Sequence, residues 1–223
     1  IGSALHFFSA DRSPDSGTIF AGGEAGSFYR SGDTGRSWSR APVTTTNAIR
    51  AVAFRGSMGV AAGDSGTLYH TRNGGATLDS VFSATTDAYL DVEIASSGDF
   101  VVVGPGVTIY SDTPIIPIPG WSSYLPWGTL TLTQRANCVS ISGSSIRVAG
   151  DSGLVAFGDL FDTSLTERNL PVPVRLRDIA AIDSQRIFVA GDGGVIYYTA
   201  DAGVNWYRQL TGDTDDLYSI AFT

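Results

Sequence analysis

The side chains able to do chemistry in this chain are Arg and Asp. All fourteen basic residues are Arg, and of the twenty-two acids only Glu24, Glu93 and Glu167 are Glu. A glycosidase needs two carboxylates at a set separation across a sugar bond. Among so many Asp, some pair at that spacing is inevitable, so the count assigns nothing. Glu24 falls in a turn, Glu93 in a strand and Glu167 in a variable loop, where ordinary structural or surface roles are expected. His6 and His70 are too few and too isolated to suggest a catalytic metal. Cys138 stands alone, which excludes an internal disulfide and a multi-Cys zinc site. These residues predict no catalyst, no metal and no cofactor.

They suit binding better. One polar residue recurs at a shared position of the strands that begin successive repeats: His6, Arg50, Asp91, Asn137 and Arg177, with Tyr218 on a further strand. That regularity predicts a ring of partner-binding side chains at a channel rim, with Arg50 and Arg177 able to hold a carboxylate or phosphate through paired N–H donors. A second candidate is the segment PIIPIPGWSSYLPWG, from Pro114 to Gly128. Its prolines oppose interior ladder pairing, and Trp121, Tyr124 and Trp127 bring large amphipathic rings into what reads as a loop suited to protein or glycan contact. Burial of Trp121 inside its own repeat is the competing reading.

The elements that must hold these residues are short strands. The chain has 223 residues, 43% apolar and only 16% charged, with 27 Gly and 9 Pro spread along it. That is the composition of a globule of many strands and tight turns, not of a disordered chain. A net charge of −8 excludes nonspecific nucleic-acid binding, which relies on concentrated positive charge. No run of 18 apolar residues offers a membrane-spanning helix.

Self-comparison aligns five segments: TIFAGGEAGSFYRS from 18, MGVAAGDSGTLYHT from 58, FVVVGPGVTIYS from 100, SIRVAGDSGLVAFG from 145 and RIFVAGDGGVIYYT from 186. Their anchoring glycines, Gly23, Gly63, Gly104, Gly150 and Gly191, are spaced by 40, 41, 46 and 41 residues. Each period holds a first strand (ALHFFSA, IRAVAF, LDVEIA, ANCVSI or LRDIAAI), a hairpin across the Gly/Asp turn, and a further strand. Four strands per repeat define a propeller blade. The predicted fold is all-β, a β-propeller of about five four-stranded antiparallel blades, either complete or part of a larger propeller. The expected organisation is a single domain over 1–223 with repeats at 4–43, 44–84, 85–130, 131–171, 172–212 and an extra strand at 217–223. That extra strand and ALHFFSA compete for one place in a closed five-blade ring.

After the third strand the first repeat carries SGDTGRSW, from Ser31 to Trp38, and the last carries TADAGVNW, from Thr199 to Trp206. Both fit S/T-x-D-x-G-x-x-W. The acid at Asp33 or Asp201 can accept N–H bonds across the turn, Gly35 and Gly203 can take positive φ, and Trp38 and Trp206 can return into the sheet and be buried. TRNGGATL in the second repeat is a weakened copy with Asn73 and Leu78. These residues are expected to be structural rather than catalytic.

Together A-G-D-x-G-x-I-Y and S-x-D-x-G-x-x-W resemble the Asp-box (BNR-type) propellers, and within them photosystem II assembly/stability factor-like repeat proteins. The resemblance covers nearly the whole chain. It implies a noncatalytic interaction scaffold for a protein partner in a larger assembly, either a photosystem-assembly factor or a phage or cell-surface structural protein, in a thylakoid lumen, on a virion or otherwise outside the cytoplasm. Sialidases share the repeat and imply the alternative, a lectin or glycoside hydrolase, but their F-R-I-P signature is absent.

Overall fold

The computed structural model describes residues 5–81, 83, 85–110, 126–162 and 164–222. The described residues form five four-stranded antiparallel sheets. The first is β1 (Phe7–Arg12), β2 (Ile19–Gly23), β3 (Phe28–Ser31) and β4 (Ser39–Arg40). The second is β5 (Ile49–Arg55), β6 (Met58–Gly63), β7 (Leu68–Thr71) and β8 (Asp79–Ser80). The third is β9 (Asp91–Ile94), β10 (Phe100–Val103), β11 (Val107–Tyr110) and β12 (Pro126–Leu130). The fourth is β13 (Ala136–Ser142), β14 (Ser145–Gly150), β15 (Val155–Asp159) and β16 (Thr166–Glu167), and the fifth is β17 (Leu176–Ala181), β18 (Ile187–Gly191), β19 (Val195–Thr199) and β20 (Tyr207–Gln209). Strand order follows chain order in every sheet, which is the meander of a propeller blade. The chain packs as two compact units, residues 1–102 with 108–127, and residues 103–107 with 128–223.

The first hairpin of a blade is set by a close backbone approach. A Cβ at Gly63, Gly150 or Gly191 would overlap the carbonyl oxygen of Ala48, Arg135 or Arg175, the residue before the first strand. The same oxygens accept from the next N–H, that of Asp64, Asp151 and Asp192, at 2.9, 2.9 and 3.0 Å. Only glycine permits this approach. One residue further on, the pairing register slips: Ile49 faces Gly63 but Ala51 faces Ala62, and Ala136/Cys138 and Leu176/Asp178 repeat the step. Arg50, Asn137 and Arg177 are therefore bulge residues, turned out of the ladder.

Core packing comes from strand positions aimed at the neighbouring blade. In the first unit Phe20 stacks on Phe54 at 4.6 Å, within a cluster that includes Phe28, Ile49 and Val52. A second cluster joins Val60, Leu68, Tyr89, Ile94 and Phe100. In the second unit Ile179, Ile187, Val189 and Tyr197 build the core, with Trp206 packed against it. The first inner strand differs at one position. Phe7 is 53% exposed, whereas the matching Ile49, Ala136 and Leu176 are fully buried.

One core position breaks the pattern. Three residues before the anchoring glycine the blades carry Phe20, Val60, Val101, Arg147 and Phe188. Arg147 is only 3% exposed, and its Nη1 has no hydrogen-bond partner. Burial pulls its pKa down, and the charge of Asp183 opposes that shift. Where Phe20 faces Phe54 and Phe188 faces Phe222, the aligned residue beside Arg147 is the small Ala181, which leaves room for the longer side chain. A buried cation with an unmade bond costs more than an apolar side chain of similar length. Arg147→Met is expected to stabilise the protein by about 1–3 kcal/mol in urea unfolding, and a loss of stability would contradict this reading.

Candidate functional site

In the second, fourth and fifth blades the bulge projects a polar side chain, and each is caught by the acid of its own hairpin. Arg50 donates through Nε and Nη2 to the two carboxylate oxygens of Asp64, the second bond at 3.1 Å. Arg177 donates through Nε to Asp192 and through Nη2 to Asp216 at 3.0 Å. Asn137 takes the same place with an amide, donating to Asp151 at 2.8 Å and to the Leu176 carbonyl at 2.9 Å. Burial alone would lower the Arg177 pKa, but its bond to Asp192 and the charges of Asp192 and Asp216 hold it above the usual value. The turn that aims the acid runs Asp-Ser-Gly or Asp-Gly-Gly, with positive φ at Ser65 and Gly66, Ser152 and Gly153, and Gly193 and Gly194.

Successive bulge residues also touch within each unit. The Arg50 guanidinium lies over the Phe8 ring, 5.4 Å from its centroid, and that of Arg177 lies over Tyr218 at 4.5 Å. Both are cation–π contacts. The six residues expected at one shared position thus divide. Arg50, Asn137, Arg177 and Tyr218 occupy it. His6 does not, because the first blade slips between Phe7 and Ser9, so its bulge residue is the exposed Phe8. His6 instead stands two residues before that bulge, its carbonyl accepting from Glu24 N at 3.0 Å. Asp91 is also displaced. Tyr89 N donates to the Gly63 carbonyl as Leu217 N does to that of Gly191, which puts Leu90 at the bulge position and Asp91 beyond it. Asp91 accepts from Val92 N as Asp178 accepts from Ile179 N.

Sequence reading missed the acids that complete the clamp: Asp64, Asp151, Asp192 and Asp216. The signal was present for the first three, since each follows the anchoring glycine in A-G-D. The occupied donors alter the chemistry expected of the two arginines. Only Nη1 of Arg50 and of Arg177 carries no bond among the described residues, so a ligand oxygen would add to an existing ion pair instead of meeting a bare cation.

The outer hairpins have a shared hydrogen-bond pattern. Thr199 Oγ1 donates to Asp201 Oδ1 at 2.8 Å and accepts from Gly203 N at 2.9 Å, while Asp201 accepts from Asn205 N at 2.8 Å. Ser31, Asp33, Gly35 and Ser37 repeat it, and so do Thr71, Asn73, Gly75 and Thr77 with a neutral amide. Bonds from the Ser37 hydroxyl and backbone, then from Ser31, hold Asp33 at a pKa of about 2. The two tryptophans differ. Trp206 is half-buried and donates to the Arg168 carbonyl of the preceding blade at 2.9 Å. Trp38 was expected to be buried but is 44% exposed and donates to the carbonyl of its own Gly35 at 3.1 Å.

Trp121 and Tyr124 lie outside the described residues. Trp127 was read as part of a loop, but its backbone lies in β12, the outermost strand of the third blade. That strand opens with Pro126, as an edge strand can. Burial pushes the Glu93 pKa up to about 7, with Arg55 opposing and Asp11 reinforcing. The described residues contain no group of His, Cys, Asp and Glu that could hold a metal, and no helix among them is long and apolar enough to cross a membrane.

No family model and no curated protein matches the chain. Solved structures do. YCF48 bound to a D1 peptide aligns over 92% of this chain and 67% of its own at 18% identity, with a TM-score of 0.64. YCF48 from Cyanidioschyzon merolae covers all of this chain and 91% of its own at 16% identity and a TM-score of 0.56. The WD40 β-propeller domain of Doa1 aligns over 96% of this chain and 71% of its own at 10% identity, with a TM-score of 0.75. The fold is a β-propeller of five four-stranded antiparallel blades. Its likeness to YCF48 is one of structure.

The fully buried Thr199 hydroxyl gives the outer hairpins a test. Thr199→Val removes the acceptor of the buried Gly203 N–H at nearly constant volume and is expected to cost about 1–3 kcal/mol in urea unfolding. Unchanged stability would show that the hairpin does not depend on this bond.

Proposed function

We propose that this chain is a noncatalytic propeller scaffold that holds a protein partner in a larger assembly, in the manner of a photosystem-assembly factor. The observation that carries this reading is the recurrent bulge position. Three inner strands place Arg50, Asn137 and Arg177 there, Tyr218 lies against Arg177, and the two arginines keep Nη1 donors beyond their ion pairs. Side chains fixed by a carboxylate lose little further freedom on binding, which favours recognition of peptide carbonyls and carboxylates over catalysis. YCF48, similar in fold, has been solved with a D1 peptide, which supports a peptide as the ligand class.

The proposal has three finer parts. The residues of 1–223 act as a single propeller domain, with the bulge side chains as its partner-binding rim. The Ser31–Trp38 and Thr199–Trp206 hairpins are Asp-boxes with a structural role: their acids are saturated by turn N–H and hydroxyl donors and so are poorly suited to proton transfer. Aromatic residues Trp121, Tyr124 and Trp127 add a second contact surface.

The test is binding of an immobilised D1 peptide, measured by surface plasmon resonance. Replacing Arg50 and Arg177 together by Gln keeps a donor for each neighbouring acid but removes the cationic N–H groups. The double variant is expected to bind about tenfold more weakly or worse, with its circular dichroism spectrum unchanged. Absence of binding to the original chain, equal binding by the variant, or turnover of a sialoside would overturn the proposal.

A further inference from the structure

Arg147 lies on β14, opposite Ser140 of β13 and Phe157 of β15. The first blade sets the same two residue types the other way round. There Phe20 of β2 is opposite Arg30 of β3, and Arg30 Nη1 donates to the Gly75 carbonyl at 3.3 Å. In the fourth blade it is the phenylalanine that reaches the outer hairpin of the next blade, where a Cβ on Gly203 would come within 2.7 Å of the Phe157 ring. The Ala202 carbonyl of that hairpin accepts from Arg168 Nη1 at 2.6 Å. Arg147 is left on the inner strand of the pair, 3% exposed, and its Nη1 has no acceptor among the described residues.

The carboxylate whose charge acts on Arg147 is that of Asp183, in the turn between β17 and β18. It is already committed. Its Oδ1 accepts from Gln185 N at 2.9 Å and from Arg186 N at 2.7 Å, and its Oδ2 accepts from Arg186 Nε at 2.7 Å. Those bonds hold the Asp183 pKa at about 2, so it is ionised near neutral pH. One carboxylate thus stands near two guanidinium groups and gives its bonds to the exposed one, Arg186. The surplus positive charge lies on Arg147, where burial makes an unpaired ion costliest.

We infer that the guanidinium of Arg147 is the binding site for one small monovalent anion of the size of chloride, held between β14 and β17. Three features select this class. A single surplus charge calls for a single negative charge, and Asp183 nearby repels a divalent ion. Space is present because the pairs Phe20–Phe54 and Phe188–Phe222 fill the matching position with two rings, whereas here Arg147 faces the methyl group of Ala181. An exposure of 3% admits a monatomic ion but shuts out a peptide or a sugar. Arginine suits the role, since its guanidinium is more weakly hydrated than an ammonium and gives up its water more readily. The site lies inside the second unit and does not depend on the peptide-binding role of Arg50 and Arg177.

The test is thermal unfolding of the full chain in sodium chloride, with sodium gluconate added to hold the ionic strength constant. The original chain is expected to melt about 5 °C higher over roughly a hundredfold rise in chloride, as a ligand bound only by the folded state requires. Arg147→Met is expected to melt at one temperature throughout. Without chloride the methionine variant is the more stable of the two, and the gap closes as chloride rises. Asp183→Asn keeps the amide oxygen that accepts from Gln185 N and Arg186 N but removes the competing charge, so its rise is expected to begin at lower chloride. A flat response of the original chain would overturn the inference, because Nη1 would then be served by water alone. So would an equal rise in Arg147→Met, the mark of a general salt effect on the fold, or a rise that begins at higher chloride in Asp183→Asn.

Discussion

The structure depends on one close contact, between an anchoring glycine and the carbonyl oxygen that precedes the paired inner strand. At Gly63, Gly150 and Gly191 the backbone is extended, with φ of −173°, −166° and −168°, so any residue could adopt the conformation. Space is the constraint, not the torsion angle. With the two backbones so close, the next N–H reaches that carbonyl, the register slips by one residue, and a side chain is expelled from the ladder. The acid that follows the glycine is then in place to catch it. Blade closure and the candidate site are consequences of one geometry, so the sequence feature that marks the fold also aims the polar side chains.

This coupling explains how far the sequence could be read. The repeat period, four strands per blade and the A-G-D turns follow from spacing and composition, and the five sheets appear where these place them. A bulge is different. It changes register without changing the alternation of residue types, so His6 and Asp91 aligned with Arg50 in sequence although the first blade places Phe8 at the bulge and the third places Leu90. Three acids of the clamp, Asp64, Asp151 and Asp192, were read as turn formers because Asp after Gly is favoured in turns for local reasons. Their partners lie 14 or 15 residues away, beyond a local reading.

Trp38 and Trp206 show the same limit. Their motifs have the same form, yet one indole bonds a carbonyl of the neighbouring blade and the other bonds its own turn. What separates them is which carbonyl the indole reaches, a property of position in the fold and not of the eight residues. Arg147 is the reverse case. The alignment already placed an arginine among Phe20, Val60, Val101 and Phe188, but only the structure shows that its guanidinium is buried with an unmade bond. The repeat tolerates it because Ala181 replaces an aromatic ring beside it.

The account stands or falls on the glycine contact, and urea unfolding of two single variants tests it directly. A Cβ at Gly150 would overlap the Arg135 carbonyl, whereas one at Gly32 would meet nothing within 4 Å. Overpacking of a tight contact costs about 1–3 kcal/mol or more, while alanine in open space is neutral or slightly favourable. The account predicts that Gly150→Ala loses at least that much stability and Gly32→Ala does not. Equal stability of the two variants would contradict it.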